Sequence, residues 1–281
     1  MHAVAPALRD TDPGIAAASY GLSDAPPIQV RLFGGLNLNK WGKPVAWRGG
    51  ARTEALLQAL AVEHSRGMCR ERLLSHLWPD SEPSLASQAL HSLLYCLHRL
   101  LGDAIDGAMP VVHAGEMYRI NVEAGIDVDV IDFEQLAREG DRYWQQGFWL
   151  DAASGYRMAT DLYRGDLRAF DDDTVLFDRE RLRARYLVML GRLADMAWRE
   201  RDYSSAIDYA SIVLKYDGGR EDAHRTLMCC YARLGQRVQA MRQYLLCERV
   251  LRESFEAVPE AATRDLYDRL RLRPGVALEE D

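Results

Sequence analysis

The stretch from Glu82 to Gly102 constrains the fold most, because its apolar and polar residues separate onto two faces of a helix. Leucines recur in it at steps of three and four residues, the spacing of one face of an α-helix: Leu90, Leu93, Leu94, Leu97, Leu100 and Leu101. Ser84, which follows Pro83, is the expected N-cap, and Gly102 is the expected C-cap. The sequence therefore predicts a long amphipathic helix.

The polar face of this helix carries hydrogen-bonding side chains and little fixed charge: Gln88, His91, Ser92, Tyr95, His98 and Arg99. Such side chains suit the donors and acceptors at base edges better than a row of phosphates. A surface helix whose polar side only meets solvent would show the same pattern. We interpret the segment as a DNA recognition helix on the strength of its neighbouring segments.

The composition indicates two soluble domains. A chain of 281 residues, 48% of them hydrophobic, suits two cores. No stretch reaches the roughly 18 apolar residues of a membrane span, and no secretion signal opens the chain, so we expect a cytoplasmic protein without a membrane partner. The cysteines are odd in number and lack metal-type spacing, which predicts reduced core residues: Cys69, Cys96, Cys229, Cys230 and Cys247.

The charge distribution is the main physical argument against nucleic acid. The net charge is −7, but the acidic excess lies mainly after Asp127. Residues 28–126 hold ten basic and nine acidic residues, a balance of about +1, and five of the seven histidines. A near-neutral domain can still bind DNA when its few cations line one face, although the electrostatic signal is then weak.

The first half of the chain predicts a winged helix-turn-helix over residues 28–126. A mobile arm, Met1–Pro27, precedes three alternating segments that favour a small antiparallel sheet, IQVRLFG, LNLNK and KPVAW. Two helices, Thr53–Ser65 and Arg70–Trp78, come before the long helix, and a β-hairpin around Gly115 comes after it. In this fold the third helix enters the major groove and the hairpin lies against the backbone.

Basic side chains near predicted helix starts and in the hairpin are candidates for phosphate contacts, because winged helices grip phosphates at such places. For each of them a role in plain solvation fits nearly as well. The candidates are Arg48, Arg52, Arg70, Arg72, His113 and Arg119.

The second half, residues 127–272, predicts only helices, and an acidic tail, residues 273–281, follows it. The predicted helices are Ile131–Gln146, Phe148–Tyr163, Leu176–Arg199, Tyr203–Lys215, Arg220–Leu234, Arg237–Phe255 and Ala261–Leu270. Ala206 and Ala240 stand 34 residues apart in similar surroundings, which is the tetratricopeptide (TPR) period. The expected fold class is therefore mainly α with small antiparallel β, a winged helix followed by an all-α TPR-like domain whose concave face binds proteins.

Catalytic motifs are absent from the sequence. It contains no P-loop, no Gly-x-Ser-x-Gly elbow and no His-Glu-x-x-His pair. We therefore expect no enzyme, no catalytic residues, no cofactor and no metal site.

Several segments together resemble the OmpR-type DNA-binding domain of the SARP-like (AfsR/DnrI/RedD-type) regulators: VRLFGGLNLN, GKPV, TEALLQALAVEHSRGMCRERLLSHLWPD and MYRI. The segment DVDVIDFEQL resembles the junction into the bacterial transcriptional activator domain of that family. Relatives commonly carry a Ser-Arg-Leu-Arg-Lys-Leu-like stretch where this chain has Tyr95 to Leu100. Cys96 and His98 replace two expected arginines there, and Arg99 keeps its charge.

The resemblance implies a transcription regulator, with an activator as the leading expectation. Its implied partners are double-stranded promoter DNA, the RNA polymerase holoenzyme and a second copy of the chain. Two alternatives stay open. One is a protein-interaction adaptor whose winged helix has lost DNA binding. The other is a small-ligand sensor with a pocket lined by Trp144, Trp149 and Trp198.

Overall fold

The computed structural model describes residues 26–45, 50–167 and 173–272. The strands of its first sheet are short, and buried residues alternate in them with less buried ones. Strands β1 (Ile28–Arg31), β2 (Asn37–Lys40) and β3 (Lys43–Pro44) pair antiparallel, as predicted. A fourth strand, β7 (Ile126–Val128), was not predicted and pairs parallel with β1. It spans the position at which we divide the chain, and that division stays a prediction.

Three helices and a second sheet complete the first half. They are α1 (Ala51–Val62), β4 (Met68–Cys69), α2 (Arg70–Leu77), α3 (Pro83–Leu101), β5 (Val111–Ala114) and β6 (Met117–Ile120). The second sheet has the order β4-β6-β5, so the predicted hairpin gains a short third strand from the α1–α2 connection. Leu90, Leu97 and Leu101 of α3 are at most 1% exposed and pack into the core.

The ends of α3 differ in part from the expectation. Pro83 occupies the first turn and Glu82 is the N-cap residue, without a side-chain hydrogen bond. The prediction that Ser84 caps the helix is therefore wrong, because the helix already includes it. Gly102 is the C-cap, as expected, but it keeps a right-handed conformation and continues into a short 3-10 turn.

The second half consists of helix hairpins. The helices are α4 (Asp129–Gln146), α5 (Trp149–Leu162), α6 (Asp173–Arg199), α7 (Tyr203–Tyr216), α8 (Glu221–Arg233), α9 (Arg237–Phe255) and α10 (Ala261–Leu272). Helix α4 packs on α5, α6 on α7, and α8 on α9. Ala206 and Ala240 are fully buried, so small residues allow close packing at the two positions that carry the repeat. Gly140 serves the same purpose, since a Cβ there would lie 2.6 Å from the Tyr156 ring. The predicted fold class is confirmed. Residues 1–25, Arg48 and the tail 273–281 lie outside the described residues.

The two halves are joined by one continuous core. The Asp129 carboxylate, 1% exposed, accepts hydrogen bonds from the backbone N–H groups of Leu32 (2.9 Å) and Phe33 (3.1 Å) at the end of β1. The Phe33 ring packs against Phe133 of α4 and Tyr163 after α5, with centroid distances of 5.1 and 4.7 Å. These contacts seat the first sheet on the helical half.

Carboxyl groups at this junction are perturbed by burial. Desolvation raises the pKa of Asp129 to about 6, although the backbone donors of Leu32 and Phe33 oppose the shift. Burial and the neighbouring Asp127 also raise the pKa of Asp132. A buried carboxyl with a raised pKa binds its proton more tightly in the folded chain than in the unfolded chain.

Replacing Asp129 by alanine should lower the free energy of unfolding by about 1–3 kcal/mol, because two buried N–H groups lose their acceptor. Chemical denaturation measures the change. Asp208→Ala on the exposed face of α7 is the matched control and should stay within about 0.5 kcal/mol of the wild type. Equal stabilities of the two variants would contradict the role given to Asp129.

The pH dependence of stability should carry the signature of the same carboxyl. With a folded pKa of about 6 and an unfolded value near 3.9, protonation of Asp129 stabilises the fold at pH 5, and this stabilisation is lost as the pH rises through 6. Relative to the Asp129→Asn variant, the wild type should gain about 1 kcal/mol between pH 7 and pH 5. A constant difference between the two proteins across this range would contradict the raised pKa.

Candidate nucleic-acid interface

The polar face of α3 is open to solvent with all described elements in place. Gln88, His91, Ser92, Tyr95 and Arg99 are exposed, opposite the buried leucines. The main packing partners of α3 are α1, α2 and the 3-10 turn that follows it. The helical second half therefore leaves this face uncovered.

Two side chains on this face, Tyr95 and Arg99, interact one helical turn apart. The interaction of the Arg99 guanidinium with Tyr95, one turn earlier, raises the pKa of Arg99 above its usual value. Arg99 is the only arginine or lysine of α3. Nearer the start of the helix, the Ser92 hydroxyl donates to the Gln88 carbonyl oxygen at 3.3 Å.

His98 does not share the exposure of its predicted companions. Its ring lies against Gly102, where an added Cβ would come within 3.0 Å of Cε1. Its Nδ1 atom is buried without a hydrogen-bond partner among the described residues. We therefore leave His98 out of the proposed base-reading set.

Two exposed residues of α3 escaped sequence reasoning. Leu85 is 64% exposed and shares a stripe with Gln88 and Ser92 at helical spacing. Its place could have been found from the three- and four-residue spacing alone. Cys96 is exposed next to Tyr95, so the expectation that every cysteine is a core residue is wrong at this position. Cys230 and Cys247 are buried, as expected.

Three of the predicted phosphate contacts lie on the surface of the first half. The Arg52 guanidinium is 5.7 Å from the centroid of the Trp78 ring, and Arg70 is exposed at the first position of α2. Arg119 is exposed on β6 and donates from Nη2 to the Arg66 carbonyl oxygen at 3.3 Å. Because β4 pairs with β6 between Arg66 and Arg70, the three arginines Arg66, Arg70 and Arg119 surround one short strand pair. We call this group the wing-base arginines.

The other predicted phosphate contacts have different surroundings. Arg72 forms an ion pair of 2.7 Å with Glu63 at the end of α1, where the Glu63 side chain is only 8% exposed. That contact fastens α2 to α1, so we do not count Arg72 among the proposed phosphate contacts. His113 is exposed on β5, and its ring lies 4.5 Å from that of Tyr118 on β6. Arg48 lies outside the described residues.

Fixed positive charge on this surface is sparse. Lys40 reaches the C-terminal end of α3, where Nζ donates to the Leu100 carbonyl oxygen at 3.2 Å. The same ammonium group pairs with Asp103 at 2.9 Å, which neutralises it and lowers the pKa of that carboxyl. DNA binding here would therefore depend more on hydrogen bonding and contact geometry than on charge.

Gly67 sets the position of Arg119. Its φ is +72°, and an added Cβ would lie 2.6 Å from Arg119 Cγ and 2.8 Å from the Tyr118 carbonyl oxygen. Only glycine combines this conformation with such a close approach.

Gly67→Ala should destabilise the chain by about 1–3 kcal/mol more than Gly107→Ala, as measured by denaturant unfolding. Gly107 also has a positive φ, of +80°, but nothing lies within 4 Å of an added Cβ, so it isolates the backbone cost from the clash. Identical losses in the two variants would show that the space above Gly67 is not limiting.

In the described part of the chain, no helix combines the length and hydropathy needed to cross a membrane.

The chain is similar to a known protein family and to known transcriptional regulators. Residues 128–271, which are 144 of the 281 residues, match the family model of the bacterial transcriptional activator domain. Transcriptional regulatory protein MoaR1 of Mycobacterium bovis (strain BCG / Pasteur 1173P2) is 23% identical over 267 residues, covering 93% of this chain and 85% of the relative. The MoaR1 protein of Mycobacterium tuberculosis (strain ATCC 25618 / H37Rv) is 25% identical over 167 residues, 58% of this chain and 53% of the relative.

A solved structure shares the fold. Mycobacterium tuberculosis EmbR, determined in complex with a low affinity phosphopeptide, superposes with a TM-score of 0.70 at 22% sequence identity. The match covers 87% of this chain, and this chain spans 65% of the EmbR chain.

The fold and these matches define a SARP-like transcriptional regulator, with a TPR-like helical half behind a small mixed α and β half. The chain belongs to the bacterial transcriptional activator domain family. The family resemblance expected from the sequence motifs is thereby confirmed.

Proposed function

We propose that this regulator binds promoter DNA by laying the exposed face of α3 in the major groove. The observation that carries the proposal is that this hydrogen-bonding face stays uncovered although the two halves share one core. A helix of this kind, followed by a β-hairpin, is the arrangement that winged helices use to reach base edges.

We assign the base contacts to the exposed side chains of α3. Gln88 suits a bidentate contact with adenine, and Arg99, which interacts with Tyr95, suits the O6 and N7 atoms of guanine. Leu85 suits the methyl group of thymine. His91 and Ser92 lie between these residues and supply further donors and acceptors.

Phosphate contacts fall to the wing-base arginines, together with Arg52 and His113. Arg70 stands at the start of α2, where free backbone N–H groups also favour an anion. These contacts fix the register of the protein on the duplex and carry little sequence information.

Regulation would require more than one domain on DNA. Few cations face the duplex, so two copies of the chain on neighbouring half-sites would raise the affinity through effective concentration. The TPR-like half offers the surface for that self-association or for RNA polymerase, since stacked helix hairpins bind proteins along their concave face. The proposed role is activation of transcription in the cytoplasm, without a catalytic activity.

Arg99→Ala should weaken binding to a selected promoter duplex by about 1–3 kcal/mol and weaken binding to a scrambled duplex less, because it removes a base contact. Arg119→Ala should weaken both equally and reduce the salt slope by about one, because it removes a phosphate contact. Fluorescence anisotropy with genomic fragments selected by the wild type measures both effects.

Arg242→Ala, an exposed position on α9, is the control for this experiment and should bind as the wild type does. If no selected fragment is bound at low ionic strength, or if Arg99→Ala binds as Arg242→Ala does, the assignment of α3 is wrong.

The alternative is an adaptor in which α3 docks a protein instead of DNA. The composition of the exposed face of α3 favours it. Leu85 (64% exposed) and Tyr95 (60% exposed) give this face an apolar character, and α3 carries a single arginine. An adaptor would fail to enrich any duplex, so the selection step separates the two functions.

A further inference from the structure

A cavity of about 220 Å³ opens where the ends of α4, α5 and α6 meet, in the helical half and on elements other than α3. Its lining consists of Trp144, Trp149, Leu150, Met196, Arg199 and Glu200. Two of the three tryptophans that the sequence suggested for a pocket are present. Trp198 is not among the lining residues, because its ring packs against Tyr203 of α7 at 5.2 Å.

The cavity has stiff aromatic walls. The rings of Trp144 and Trp149 meet edge to face, with a centroid distance of 4.9 Å and an interplanar angle of 75°. The Arg192 guanidinium lies 5.0 Å from the Trp144 centroid and is held by Asp141 at 2.6 Å. Trp144 is therefore fixed from two directions and Met196 is buried, so the apolar surface exists before any ligand arrives.

The size of the cavity limits the ligand. An apolar cavity of about 150 Å³ accepts benzene. A cavity of about 220 Å³ with an open mouth therefore accommodates one ring with a short polar substituent.

The charged part of the lining is the second, independent observation. Arg185, Arg192 and Arg199 recur every seven residues along α6, and the first two pair with Asp141 at 2.6 Å. Arg199 and Glu200 are exposed and form no ion pair within 4 Å with any residue of the described ranges. Asp195, one turn earlier on α6, is still near enough for the Arg199 charge to oppose the rise that burial causes in the pKa of Asp195. An arginine and a carboxylate, neither of them in a close ion pair with another described residue, thus stand side by side on the wall of an aromatic cavity.

We propose that this cavity binds a small zwitterion with an aromatic body, of which an aromatic amino acid is the simplest member. The ring would contact Trp149 and Met196, the ligand carboxylate would accept from Arg199, and the ligand ammonium group would donate to Glu200. Each rim residue thereby gains a direct ion pair, which no described residue gives it within 4 Å. This site stands independently of the proposed DNA contacts.

Ligand-observed NMR titrations of the full chain test the proposal with three probes. They are L-phenylalanine, 3-phenylpropionate, which lacks the ammonium group, and phenethylamine, which lacks the carboxylate. L-Phenylalanine should bind at least about fivefold more tightly than either analogue. Arg199→Gln should remove that advantage over phenethylamine, and Glu200→Gln should remove the advantage over 3-phenylpropionate.

Matched controls separate the site from the rest of the chain. Trp149→Ala should abolish binding of all three probes, whereas Trp41→Ala, an exposed tryptophan of the first half, should leave binding unchanged. Should Trp149→Ala unfold, Leu150→Ser replaces it, since Leu150 is 73% exposed and its loss spares the core.

Three results would overturn the proposal. One is the absence of L-phenylalanine binding at millimolar concentration. Another is equal binding of all three probes, which would indicate an apolar cavity without charge recognition or a binding site for an aromatic side chain of a partner protein. The last is unchanged selectivity in both Arg199→Gln and Glu200→Gln.

Discussion

The Asp129 carboxylate is the contact on which the arrangement of the molecule depends. It lies in the first turn of α4 and accepts hydrogen bonds from the backbone N–H groups of Leu32 and Phe33, which directly follow β1. The Phe33 ring packs in a cluster with Phe133 and Tyr163. A buried carboxylate that satisfies buried N–H groups tolerates little displacement, since each lost bond leaves a polar group without a partner. The first sheet therefore has one fixed position on the helical half, and this fixes the position of the winged half.

With the winged half in this position, the polar face of α3 stays exposed to solvent. The winged half packs on the helical half through β1 and β7, while the buried leucines of α3 face α1 and α2. The same packing that gives the chain one core thus turns its hydrogen-bonding helix outward. Because that helix carries a single arginine and no lysine, any selectivity of its exposed face would depend more on hydrogen bonding than on charge.

Much of this arrangement could be predicted from periodicity, because long helices repeat their burial pattern several times. Helix α9 begins and ends at the predicted residues. Strands β4 and β7 were missed, since two or three residues carry no period and pair only when a partner strand is present. The helical pattern also gave the exposed face of α3. Two candidate DNA contacts were mispredicted because their side chains meet residues that helical periodicity does not reveal. The His98 ring lies against Gly102, and Arg72 forms an ion pair with Glu63. Only polar side chains were considered for the open face, so the apolar Leu85 was missed although its spacing from Gln88 and Ser92 places it on that face.

Hydrogen–deuterium exchange of the full chain, with and without a selected promoter duplex, tests the central claim most directly. DNA seated on the open face of α3 should slow exchange in residues 83–101 and in the β5–β6 hairpin, and should leave α7 to α9 unchanged. Slowed exchange confined to the helical half, or no change anywhere in the presence of saturating duplex, would contradict the account.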